Sequence, residues 1–275
     1  MNILCVIIWS IAATAIAFPI MWLIARTPKL RRPNFQGRVI PTAFGFVLTL
    51  AAVPVYAILM HSGADALVPY IIAVAGFGVL GFVDDLFGTR EAGGFRGHIG
   101  LLRRGRVSTG LIKAVGGGIV GFLVAYLLSG FLPNLRLAAV MVMDGLLIIL
   151  SANTLNLLDL RPGRAVSCFW IGIMAVMFVW PERNQTLFAL MPVLVPAVIL
   201  LLLDRSARVM IGDTGSNVLG AVLGIGIALR CGVPAKIAVL LFLILANVYS
   251  ERFSISKLIE GNRVLRSVDR LLGER

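Results

Sequence analysis

The sequence predicts an all-α membrane protein: a polytopic bundle of about nine transmembrane helices, with the N-terminus outside and the C-terminus in the cytoplasm. Three observations predict it. Of 275 residues, 59% are hydrophobic and only 14% charged, whereas soluble domains hold about 45–50% apolar residues. The mean hydropathy is +0.96. Apolar runs of helical length recur along the whole chain, each far longer than the roughly ten-residue alternating strands of a membrane barrel.

Polar breaks divide the chain into candidate spans at 3–24, 42–61, 66–87, 110–132, 137–157, 166–180, 186–204, 215–230 and 234–250. The first lacks a basic leader and a small-residue cleavage site, so it reads as a retained span. Residues 1–250 then form one transmembrane domain, and 251–275 a basic cytoplasmic tail. Alternate loops and the tail carry all of the 25 basic residues except Arg136, Arg183, Arg230 and Lys236. The basic side, which includes Arg90, Arg96 and Arg275, is therefore expected to be cytoplasmic, with the protein multi-pass in the plasma membrane. The net charge of +12 is read as orientation, and nucleic acid is not expected as a partner. Cys5, Cys168 and Cys231 are scattered among apolar stretches, with no metal-ligand spacing.

Acidic residues are rare, 13 in all, and apart from Asp65, Asp144 and Glu182 they fall on the basic side, Glu91 and Glu274 included. A carboxylate at bilayer depth costs roughly 2.5–3.5 kcal/mol, so acids near span ends need a reason. Asp144, in mid-span, is expected to face the bundle interior. His61 and His98 show no ligand partners.

Three junctions between spans stand out. In Gly81-Phe-Val-Asp84-Asp85-Leu-Phe-Gly88 an acidic pair closes an apolar helix, with Gly88 placed to stop it. Neighbouring helical residues point about 100° apart, so one carboxylate can meet a metal while the other meets a substrate proton. In the stretch from Asn153 to Arg164, polar Asn153, Asn156 and Asp159 recur every three positions. Arg161 precedes a proline, which ends the helix there, and Arg161 with Arg164 would suit a diphosphate. In Gly212-Asp213-Thr214-Gly215-Ser216 glycines free the backbone, Thr214 or Ser216 can cap the next helix, and its amides favour phosphate. Each junction also has a purely structural reading: a solvated helix end paired with Arg90, asparagines bonding between helices, and an ordinary N-cap. Lys113, just inside a span, can likewise simply snorkel to the interface. Taken together, Asp84, Asp85, Asp159 and Asp213 with nearby arginines fit a Mg²⁺ site that takes a nucleotide diphosphate from the cytoplasm and a lipid from the bilayer.

In this order and on one face, GFVDDLFG (81–88), NTLNLLDLRPGRA (153–165) and MIGDTGSNVLG (210–220) resemble the polyprenyl-phosphate N-acetylhexosamine-1-phosphate transferases. That family includes the phospho-MurNAc-pentapeptide translocase and the UDP-GlcNAc:undecaprenyl-phosphate GlcNAc-1-phosphate transferases. The likeness begins at RVIPTAFG (38–45) and runs to about residue 220. It implies transfer of a sugar-1-phosphate from a UDP-sugar to polyprenyl phosphate with Mg²⁺, releasing UMP, for cell-wall or surface-glycan synthesis. On the matching positions, Asp84 would deprotonate the lipid phosphate, Asp85 would lie by metal or phosphate, and Asp213 would ligate the metal. Lys113 would neutralise phosphate. Asn153, Asn156 and Asp159 would face the nucleotide, with Arg161, Arg164, Gly212, Thr214, Gly215 and Ser216 also on the substrate side. A homodimer is one assembly open to it.

The sequence departs from the family where Pro162 replaces the second aspartate of its Asp-Gly-x-Asp-Gly continuation, and no histidine follows His98. The tail is expected either to supply basic groups or to lie on anionic headgroups as an amphipathic segment. Two other readings stay open: an ion-coupled transporter or lipid flippase, and a non-catalytic member of the family.

Overall fold

In a bilayer a long apolar segment has no water to satisfy its backbone and must close its hydrogen bonds internally, which a helix does within one segment. The computed structural model describes residues 2–88, 97, 100–130, 134–179 and 183–272. Arg90, Glu91, Arg96, His98, Glu182, Glu274 and Arg275 lie outside the described residues. The helices are α1 (Ile3–Ile24), α2 (Phe46–His61), α3 (Val68–Phe87), α4 (Thr109–Ser129), α5 (Leu135–Leu158), α6 (Arg164–Val179), α7 (Arg183–Arg205), α8 (Gly212–Arg230) and α9 (Val233–Ser250). Two short tail helices follow, α10 (Ile255–Gly261) and α11 (Arg263–Leu272).

Seven helices among the described residues are long and apolar enough to cross a membrane: α1, α3, α4, α5, α7 from Phe188, α8 and α9. The other two expected spans are the 16-residue helices α2 and α6, each about 24 Å long against a hydrocarbon core of about 30 Å. The second span was expected from residue 42, but α2 starts at Phe46. The reason is that 41–45 runs beside 210–211, with Met210 N donating to Pro41 O (2.8 Å), Phe44 N to Met210 O and Gly45 N to Ile211 O (both 3.0 Å).

Helix α8 is the most enclosed of the seven and packs on α2 through α7. Small residues make this possible by letting backbones touch. A Cβ on Gly220 would sit 2.5 Å from Ala152 Cα of α5, and one on Gly81 of α3 would sit 2.5 Å from Thr214 Cα. Gly81 thus brings the end of α3 against the first turn of α8, and Gly220 brings α5 against the same helix further along.

Helix α9 leans on α5 through polar contacts. Lys236 Nζ meets Asp144 Oδ1 at 2.7 Å, both side chains buried, so Asp144 does face inward and is paired. Nearer the other end, Asn153 Nδ2 donates to Asn247 Oδ1 (2.5 Å) and Asn247 Nδ2 to Thr154 Oγ1 (2.8 Å). Between α1 and α2 a small hairpin pairs β1 (Arg31–Pro33) with β2 (Val39–Pro41). Its turn is closed by Asn34 Oδ1, which accepts from Gln36 N (2.9 Å) and Arg38 N (3.0 Å).

Candidate functional site

The end of α3 and the start of α4 and α8 converge at the bundle end that carries the hairpin and the tail. Ser108 caps α4, its hydroxyl accepting from Leu111 N at 3.3 Å, and one turn later Lys113 reaches inward. Its Nζ lies 2.9 Å from Asp84 Oδ2 and also contacts Asp213 Oδ2. Asp84 and Asp213 are themselves within hydrogen-bonding reach, and Thr109 bonds to Asp84. One ammonium thus bridges two carboxylates brought from separate helices. These groups line a cavity of about 670 Å³ that also takes in Asp85, Asp159, Arg32 and Asn153.

Asp85 points elsewhere. Its carboxylate accepts from Asp213 N (3.1 Å), Thr214 N (3.0 Å) and Thr214 Oγ1 (2.6 Å), capping α8 from a different helix where the positive helix end favours a negative group. Gly212 is required there twice over: its φ is +67°, and a Cβ would lie 2.6 Å from Asp85 Oδ2. The α8 amides expected to face a phosphate are therefore already satisfied by a carboxylate. Arg32 Nη2 donates to the carbonyl of Asp85 (3.2 Å), tying the hairpin to the site.

Asp159 directly follows α5, lines the cavity and is half-buried. Burial pushes its carboxyl well above the ordinary carboxylate range, and the charges of Asp204, Asp213 and Asp85 push the same way, against a hydrogen bond from the Gly212 amide. Asp204, one of the acids on the basic side and not among the nominated residues, belongs to this group. Only 2% exposed, it accepts from Gly163 N at 2.7 Å and from the Ile211 amide, joining the two loops that rim the cavity. The available signal was its position straight after Leu200-Leu201-Leu202-Leu203, where an unpartnered acid would be costly.

The remaining nominated residues separate. Asn156 Oδ1 accepts from Ser216 Oγ (3.0 Å), an interhelical bond between α5 and α8. Gly215 packs against Gly45. Asn153 and Arg161 line the cavity, the latter 2.8 Å from Glu260 and stacked over Phe35 at 5.6 Å. Arg164, expected beside a diphosphate, is not brought to the cavity. It is buried, and its Nε and Nη2 bond both oxygens of Asp269 in the tail (2.7 and 2.8 Å), with Nη1 on Ser256 Oγ (3.2 Å). The helix that begins at Arg164 turns its guanidinium onto the arm packed alongside.

Asp84 and Asp213 present hard oxygens side by side in the cavity. Among the described residues no three acidic, histidine or cysteine groups converge as a complete metal cage. That donor set fits Mg²⁺ in its usual manner, held by one or two carboxylates and completed by water and substrate phosphates. Comparison with protein-family models and with curated proteins finds no match to this chain.

Proposed function

We propose that the protein is a Mg²⁺-dependent glycosyl-1-phosphate transferase that moves a sugar phosphate from a UDP-sugar to a polyprenyl phosphate at the cytoplasmic face of the plasma membrane. The observation that carries this reading is the Lys113 bridge between Asp84 and Asp213, drawn from α4, α3 and α8 into one cavity. The apolar part of the cavity wall, Phe77, Gly117, Ile149 and Leu150, supports a lipid acceptor. The resemblance of the three junction motifs supports the family.

In this reading Asp84 takes the proton of the lipid monophosphate, whose freed oxygen attacks the β-phosphorus of the UDP-sugar. The new P–O bond makes the lipid-diphospho-sugar, and the bond from β-phosphorus to the bridging oxygen breaks to release UMP. Lys113 neutralises phosphate charge, Arg161 sits at the nucleotide side, and Asp85 holds the first turn of α8 so that Asp213 faces the cavity. Asp213, with Asp84 beside it, would hold Mg²⁺, which supplies neutralisation of the diphosphate when bound. Such chemistry needs mainly positioning and charge compensation. A transporter would instead keep acids for ion coupling at mid-depth, and Asp144 is locked to Lys236.

The test is purified protein with polyprenyl phosphate, Mg²⁺ and a panel of labelled UDP-sugars, scoring lipid-linked product and UMP. Asp84→Asn and Asp213→Asn are each expected to lower turnover by about 100-fold or more, and Asp65→Asn to leave it unchanged. Wild-type turnover undiminished in the first two variants, or no product with any UDP-sugar, defeats the proposal.

A further inference from the structure

The tail helix α11 has little hold on the bundle. Of its residues whose side chains are described, Asp269 alone is not exposed, and it is the residue clamped by buried Arg164. A ten-residue helix is marginal on its own in water, so an exposed one needs another surface. Its pattern indicates which kind. At 100° per residue, Arg263, Arg266 and Arg270 share one side of α11, while Leu265 and Val268 share the other and are 41% and 44% exposed.

The neighbouring segment repeats the theme. Phe253 and Leu258 are exposed apolar residues, Arg252 and Lys257 are exposed cations, and Tyr249 stacks on Phe253 with ring centroids 5.0 Å apart. A shallow groove of about 440 Å³ opens between the end of α9 and α10, walled by Tyr249, Phe253, Lys257 and Asn262. This arm leaves α9 directly after Ser250, so it starts where a membrane-crossing helix meets the headgroups.

We infer that α10 and α11 form an anionic-lipid-binding arm, clamped to the bundle by Arg164–Asp269, with its apolar side in the headgroup boundary and its basic side on lipid phosphates. The charge fits one occupant. Arg252, Lys257, Arg263, Arg266 and Arg270 stand against Glu251, Glu260 and Asp269, of which Glu260 pairs with Arg161 and Asp269 with Arg164, and the excess of positive charge that remains is balanced by an anionic leaflet but not by a zwitterionic surface or an acid-poor protein face. The inference does not depend on the transferase reading.

The test uses the full chain in nanodiscs, with Cys5, Cys168 and Cys231 replaced by serine and a bimane label on Val268→Cys. Discs of phosphatidylcholine alone are compared with discs containing phosphatidylglycerol, using lipids with brominated acyl chains and aqueous iodide as opposing quenchers. In anionic discs the label is expected to gain bromine quenching and lose iodide access by at least about twofold, and the combined Lys257→Gln, Arg263→Gln, Arg270→Gln variant to lose that gain. Hydrogen exchange over 255–270 should slow in the same discs without any label, which keeps the test independent of the cysteine substitutions. Equal accessibility in both compositions overturns the inference. So does shielding that appears only in discs carrying two copies of the chain, because the face then belongs to a second copy.

Discussion

Asp84 and Asp85 are consecutive residues with unlike surroundings, one held by an ammonium and the other by the backbone of a helix start. The helical offset between neighbours made a division of roles legible in the sequence, but not which carboxylate would take which partner, because the amides that claim Asp85 arrive 128 and 129 residues later. Asp159 yields a prediction at this scale. Its carboxyl is raised by burial and by three other acids, so the folded protein holds that proton more tightly than the unfolded chain. Stability from this group is complete below about pH 4 and is lost as pH rises through the folded value. Thermal melting in metal-free detergent solution should therefore show a midpoint that declines with rising pH, and Asp159→Asn should flatten the decline and raise the midpoint at neutral pH. A variant with the same slope as wild type contradicts this placement. The partner of Arg164 was not legible in the sequence for a simple reason: nothing in the order of residues 161–164 says that an aspartate in the tail will fold back onto it.

Helices were the most readable level. An apolar run near 20 residues can hardly be anything else in lipid, and α1, α3 and α9 start and stop within two residues of the expected bounds. Helix beginnings fixed by distant backbone were not readable. The start of α2 depends on pairing between 41–45 and 210–211, and α8 begins three residues early, at Gly212, where Asp85 takes the amides of Asp213 and Thr214. The glycines that let α3 and α5 approach α8 are the vulnerable elements. Gly81→Ala places a methyl 2.5 Å from Thr214 Cα, which backbone cannot yield to cheaply, so α3 must shift away from α8. Overpacking of this kind costs about 1–3 kcal/mol, and a lower melting temperature with loss of lipid-linked product is the expected outcome. Gly118→Ala, with open space around it, is the matched control and should melt like wild type.

The molecule as a whole reads as asymmetric along the membrane normal, with the hairpin, the cavity rim and the arm at one end and the Ser62–Gly63 turn at the other. The proposed orientation, which rests on the arginine distribution, puts the first end in the cytoplasm. In a chain freed of its native cysteines, Ser62→Cys should react with an impermeant maleimide on intact cells, and Gln36→Cys only after permeabilisation; the reverse pattern would invert the molecule. The capping of α8 by Asp85 also joins segments made far apart in time. During synthesis α3 enters the bilayer with both aspartates while α8 is still unmade, and most of the chain between them must be inserted before the amides of Asp213 and Thr214 exist to receive Asp85. Until then Asp85 has only water and headgroups to satisfy it, and a chain truncated before residue 212 lacks this joint between α3 and α8 altogether.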